Sequence, residues 1–183
     1  MLQIDKQEPI FFHSFIKGKK VWSDIKDRKE LNQELLKEQT NMCAYCESKI
    51  SKHYHIDHFY KRDLFPKLIF TYNNLFLSCN CEKSCAKYKD KYGLKKDDFY
   101  EIFSPKDINL DEFEYSLTGE IIGKTEKANK TITVFNLNNR SLVEKRKTIS
   151  LNYKNMMDYD LFEIFQEFQT FLEFLKNNYD GEK

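Results

Sequence analysis

Glycine and proline are scarce, with five and three among 183 residues. Long flexible linkers draw heavily on such residues, so an extended disordered tract is not expected. No apolar run approaches the roughly 18 residues that a membrane helix needs. Met1 to Glu8 is mixed and charged, without the apolar core of a signal peptide. A cytoplasmic chain with no membrane partner is therefore expected. There is no internal repeat and no low-complexity tract. Nor is there a large excess of one charge, the formal net being +1. At this length the chain suits one compact domain, or a small one with a docked extension, and it can bury a core unaided.

Charge and cysteine are unevenly distributed. From Glu47 to Lys96 there are eleven Lys/Arg against five Asp/Glu, and from Asp97 to Lys183 eleven against seventeen. The basic stretch suits a phosphate backbone, although a lysine-rich solvated face would look the same. All five cysteines, Cys43, Cys46, Cys79, Cys81 and Cys85, fall in one quarter of the chain around that stretch. In a reducing compartment, clustered cysteines are more often metal ligands or nucleophiles than disulfides.

The periodicities divide the chain at 1–40, 41–96 and 97–183. Leu31, Leu35 and Leu36 predict a helix over residues 22–40. The middle segment reads as a knuckle, a strand near His55–Tyr60, a loop through Pro66, a strand near Leu75–Ser78 and a short helix from about Lys83. Phe113–Leu117 and Glu120–Gly123 read as a hairpin around Thr118-Gly119. A helix from about Glu126 follows. The next spans 141–157, with Ser141 as N-cap and Glu144 completing a capping box. The last is expected over 160–178, with Leu161, Phe165, Phe168, Leu172, Leu175 and Tyr179 as one apolar seam. Such a helix packs on its own domain or docks on another chain.

Cys43-Ala44-Tyr45-Cys46 brings two thiolates to one ion, and a second cysteine pair must complete a tetrahedral site. Cys79 with Cys85 is favoured, leaving Cys81 spare. Cys79 with Cys81 is the more strained alternative. Zinc suits four thiolates, but a redox pair or an iron–sulfur cluster would also use cysteines. Between the pairs lies His53-Tyr54-His55-Ile56-Asp57-His58. Phosphodiester hydrolysis needs a base near neutral pH and a hard ligand for a divalent cation, and His58 and Asp57 supply the two. A solvated polar edge or a second zinc site is the plainer explanation. Asn74, just before an apolar strand, can brace the loop that carries such a base, or can be an ordinary turn residue.

Taken together, the CxxC at Cys43 and Cys46, His55-Ile56-Asp57-His58-Phe59, Asn73-Asn74-Leu75-Phe76-Leu77-Ser78-Cys79 and the run from Cys85 to Lys89 resemble the HNH endonuclease superfamily. They look most like the PtuB-like nuclease subunits of Septu and retron-associated antiphage systems. The likeness extends outward, through Leu35 to Glu47 before the core and Ala128 to Ile132, Leu137, Asn138, Leu142 and Arg146 after it. The resemblance implies an α+β, mostly helical chain with a ββα-metal core, a four-cysteine zinc knot, flanking helices and a small β-hairpin. It implies a nuclease acting on nucleic acid, DNA before RNA, with zinc from Cys43, Cys46, Cys79 and Cys85 and a catalytic Mg2+ or Mn2+ at Asp57. His58 matches the general base, Asn74 the brace and His55 an assisting histidine. Ala86 stands where a further metal ligand is common, so Asp90 is the substitute. Lys61, Arg62, Lys87 and Lys89 are the expected phosphate contacts, with Tyr60 or Tyr88 able to stack on a base. An ABC- or SMC-like ATPase, PtuA-like, is the implied partner, with 97–183 as its possible docking region. A zinc module that binds nucleic acid or protein without catalysis is the competing expectation.

Overall fold

A computed structural model of the chain describes residues 1–153 and 161–179. The described part is an α+β fold in which short helices surround two separate two-stranded antiparallel sheets. The middle of the chain follows the expected order. Strand β1 (Tyr54–His58) pairs antiparallel with β2 (Leu75–Cys79), Tyr54 opposite Cys79 and His58 opposite Leu75. Helix α3 (Cys85–Lys91) follows and packs on β2. The apolar run Leu75-Phe76-Leu77 is fully buried, so β2 is a core strand despite belonging to so small a sheet.

The N-terminal elements lie against β2. After α1 (Phe12–Ile16), a 3-10 turn covers Trp22–Asp24, and only then does α2 (Lys29–Glu38) begin. The helix expected over 22–40 thus starts seven residues late. The Asp24 carboxylate accepts the N–H groups of Lys20 and Val21, closing a separate turn, and Asp27 accepts the N–H of Lys29. Local side-chain bonds of this kind compete with helix. Leu31 and Leu35 face inward as the spacing required. At the end of α2, the Gln39 amide accepts the Leu77 N–H at 2.7 Å and donates to the Leu77 and Met42 carbonyls. One side chain thereby serves β2 in place of a neighbouring strand.

Downstream, β3 (Phe113–Tyr115) and β4 (Ile121–Gly123) form the expected hairpin. Helix α4 (Glu126–Phe135) starts on a Thr125 cap and ends on Asn136 in the left-handed region, φ 46°. Helix α5 (Arg140–Tyr153) starts one residue early. Asn139, not Ser141, is the cap: its Oδ1 accepts both the N–H and the hydroxyl of Ser141. The expected end of that helix, and the start of the last one at Asp160, lie outside the described residues.

The last helix is not continuous. Helices α6 (Leu161–Phe165) and α7 (Gln169–Tyr179) are separated where Gln166 and Phe168 take positive φ. Phe168 is 1% exposed, and its N–H bonds to the Glu47 carbonyl at 2.9 Å. The break turns that ring inward. The Glu47 carboxylate then takes the Thr170 N–H at 2.9 Å and its hydroxyl at 2.6 Å, satisfying the start of α7. Phe168, Phe171, Leu172 and Leu175 are buried in the same core as the strands, so α7 packs on its own domain.

Candidate functional site

The four expected sulfurs converge. Ligand atoms of Cys43, Cys46, Cys79 and Cys85 all lie within 4.8 Å of one another, the only such group of three or more His, Cys, Asp or Glu found among the described residues. Cys46 and Cys79 Sγ are 3.9 Å apart, and the Cys79 N–H points to Cys43 Sγ at 3.4 Å. Two unusual backbone positions aim the sulfurs. Glu47, directly after the CxxC, has φ 61°, and Cys85, opening α3, has φ 63°. Neither is glycine, the residue that ordinarily takes this region. Glu47 is held there by its buried side chain, which also accepts from the Met1 amino group at 2.6 Å. Burial would raise the Cys43 thiol, yet contacts from the Cys46, Cys79 and Cys85 side chains hold it well below its usual range. Four thiol donors with N–H support could hold a metal ion and suit structural zinc. Cys81 is outside the group, which resolves the choice between Cys81 and Cys85 in favour of Cys85.

Strand β1 leads from the sulfur cluster into an open cleft of about 620 Å³. His55, Ile56, Asp57 and His58 all line it, together with Val21, Trp22, Ser23, Lys61, Arg62, Asp63, Ile69 and Asp90. Alternation alone would send Asp57 and His58 to opposite faces. The structure nonetheless brings both to one cleft, at the edge of a sheet in which β1 has a single strand neighbour.

His58 is the most constrained of these side chains. Its Nε2 lies 3.0 Å from the Ile69 carbonyl oxygen, and its ring meets Trp22 edge to face with centroids 4.5 Å apart. A carbonyl only accepts, so Nε2 carries the proton and Nδ1 is the basic nitrogen. Burial is the main cause that lowers the His58 pKa to about 4, outweighing the Ile69 bond and nearby Asp57. The ring is neutral at neutral pH. Asn74 fixes the loop beyond it: Oδ1 accepts the Tyr60 N–H at 2.7 Å, and Nδ2 donates to the Tyr60 and Leu68 carbonyls, each at 3.1 Å. His55 is half-buried, and its Nδ1 meets Asn80 Oδ1 at 3.0 Å.

Asp57 is also in the cleft wall, but its carboxylate is occupied. Lys89 Nζ lies 2.9 and 2.8 Å from its two oxygens and donates as well to the His58 and Phe59 carbonyls at 3.0 and 3.2 Å. The Tyr45 hydroxyl bonds to Asp57 Oδ2. This ammonium, with four oxygens around it, stands where a bound cation would. Ala86, which follows the last cysteine of the cluster, offers no ligand atom. As placed, these residues do not fit a divalent ion at Asp57. Asp90 is half-exposed and sits beside Lys61, and burial raises its pKa.

The expected phosphate contacts separate. Lys61 and Arg62 are at the cleft, Lys61 in contact with Asp90. Lys87 is paired with Glu82 at 2.7 Å. Lys89 is a correction: it is fully buried on Asp57 and presents no charge to a ligand. Tyr60 packs on Phe59, Phe65 and Phe99, so its ring is committed to the core. Sequence reasoning missed Trp22 and Ile69, which hold His58, and Tyr45, which holds Asp57. The expected helix over 22–40 placed Trp22 at a helix start. Only its being the single tryptophan marked it.

No family model matches the chain. The chain is similar to the Septu protein PtuB of Bacillus thuringiensis, at 30% identity over 127 residues, which is 66% of this chain and 44% of that protein. The chain thus spans under half the length of the curated relative it matches. Over the matched stretch it is PtuB-like.

Proposed function

We propose that this PtuB-like chain is a nuclease component of a Septu-type antiphage defence system, an HNH endonuclease that hydrolyses phosphodiester bonds of nucleic acid, DNA before RNA. The observation that carries the reading is the neutral His58, its Nε2 bonded to the Ile69 carbonyl and its ring on the cleft wall. A base of this kind takes a proton from water as the water attacks phosphorus. The pair β1–β2 followed by α3, over four cysteines, supports reading residues 41–96 as a ββα-metal core. Zinc at those cysteines would hold the strands and helix in register and take no part in bond cleavage.

His58 would accept the proton. Asn74 would hold the turn at Tyr60, and Lys61 and Arg62 would bind the phosphate and offset its charge. His55 would assist on the same edge. The superfamily likeness brings with it a divalent cation at Asp57 and Asp90, but Lys89 already fills the Asp57 carboxylate, so no step is assigned to that ion. The same occupancy favours a second reading, a zinc-stabilised module that binds nucleic acid without cutting it. An ABC- or SMC-like ATPase, PtuA-like, is the partner the likeness implies.

The test is plasmid nicking by the chain purified with its neighbouring ATPase, with magnesium or manganese, against the same complex carrying His58→Ala. Cleavage that the substitution abolishes supports the catalytic reading. Equal cleavage by both proteins would remove His58 from it.

A further inference from the structure

A second basic surface borders the cleft, on the segment of residues 17–29. It carries six Lys/Arg against two Asp. Lys17, Lys19, Lys20, Lys26 and Lys29 are all exposed. None of them forms an ion pair among the described residues. Of the cations first expected to bind phosphate, Lys87 is held by Glu82 and Lys89 by Asp57, which leaves Lys61 and Arg62 at the cleft.

The segment is tied to the site. Val21, Trp22 and Ser23 line the cleft, and Lys20 is joined directly to Val21, about 3.8 Å away along the chain. Trp22 sits between His58 and the Arg28 guanidinium, 5.1 Å from its ring, and Arg28 also donates to the Trp22 carbonyl. The Asp24 carboxylate closes the turn over Lys20 and Val21 at 2.9 and 3.0 Å. Unpaired lysines are thus held on a fixed turn beside the proposed base.

Among the described residues, the cleft offers little stacking surface: besides its two histidines, its sole aromatic lining residue is Trp22, which is 7% exposed and packed against His58. Single strands are held largely by bases stacked on aromatic rings, whereas a duplex offers mainly its backbone.

We infer that residues 17–29 form a second phosphate-binding wall of the cleft, with Lys19, Lys20 and Lys26 contacting the backbone of duplex DNA alongside Arg62. This rests on the nucleic-acid reading above and adds to it the duplex and the residues that grip it.

The experiment is anisotropy titration of a short labelled DNA duplex with the full chain in magnesium-free buffer, repeated over a range of salt. Each lost phosphate contact lowers the slope of log affinity against log salt by about 0.9, so K19A/K20A/K26A should lower it by about 2 to 3. Lys106→Ala should leave the slope unchanged, because that lysine is paired with Asp107 and lies outside the cleft lining. Circular dichroism should show all variants folded, the substituted side chains being on the surface. An unchanged slope in the triple variant overturns the inference and leaves catalysis by His58 standing. A reduced slope together with cleavage insensitive to His58→Ala upholds it and removes the catalytic reading instead. Preference for a single strand over the duplex, or binding to anionic lipid vesicles but not to DNA, also overturns it.

Discussion

Lys89 and Asp57 form a closed pair: the ammonium touches both carboxylate oxygens at 2.8 and 2.9 Å, and neither side chain is more than 6% exposed. The pair joins α3 to the strand that carries the candidate base. Removing one partner of a buried ion pair leaves an uncompensated charge and typically costs about 3–5 kcal/mol. Lys89→Met should destabilise the chain by that order in denaturant titration. Asp57→Asn combined with Lys89→Met should be less harmful than Lys89→Met alone, because no net charge is left buried. If the double variant is the less stable of the two, the pair is not what holds α3 in place.

Asn74 satisfies three backbone groups with one side chain. Asn74→Asp keeps the acceptor for the Tyr60 N–H but turns two donors into repulsive contacts with the Tyr60 and Leu68 carbonyls. Leaving buried polar groups without partners costs about 1–3 kcal/mol each. Both Asn74→Asp and Asn74→Ala should therefore lower the unfolding midpoint and reduce cleavage. Loss of stability without any loss of rate would limit Asn74 to a structural role.

The sulfur cluster and the order strand, strand, helix were legible because their signals are local. A CxxC, an apolar strand and a short helix each lie within a few residues. The Asn74 brace was legible for the same reason. What could not be read was set by distant partners. Nothing near Lys89 says that its ammonium is buried on Asp57, so a lysine in a basic run looked like a surface contact. The break before α7 depends on Glu47, more than a hundred residues earlier, capping Thr170 and binding the Phe168 N–H. An unbroken apolar periodicity concealed it. Trp22 escaped notice because its role is defined by the ring of His58, which the chain brings to it only on folding.

His58 makes the pH response specific. Burial lowers its pKa to about 4 from an ordinary value near 6.5. Between those values the unfolded chain binds a proton that the folded chain does not, so stability should rise with pH across that window. The contribution is complete above about pH 6.5 and is lost as pH falls toward 4. Cleavage, if His58 is the base, should hold its rate down to about pH 5 and fall only near 4. An acid limb centred near 6.5 would mean an exposed imidazole, and would contradict the enclosure by Trp22 and Ile69.

Metal content distinguishes the five cysteines. Cys43, Cys46, Cys79 and Cys85 converge while Cys81 stands apart, so the purified chain should carry about one zinc. Cys43 is fully buried and accepts the Cys79 N–H. Structural zinc contributes folding energy directly, because its site does not exist in the unfolded chain. Cys43→Ser should lose both the metal and cooperative unfolding, and a strong chelator should do the same to the parent chain. Cys81→Ser should keep the metal and the unfolding midpoint. Metal analysis with thermal melts on the three proteins reads all of this. Visible absorbance typical of an iron–sulfur cluster, or zinc lost from Cys81→Ser, would overturn the ligand set. The order of events also matters. Sulfur hydrogen-bond partners such as the Cys79 N–H sit on the end of β2, whose other end faces His58, so metal loss should loosen the cleft before it unfolds the helical remainder. Exchange of the amides of β1 and β2 should therefore rise first as chelator is added.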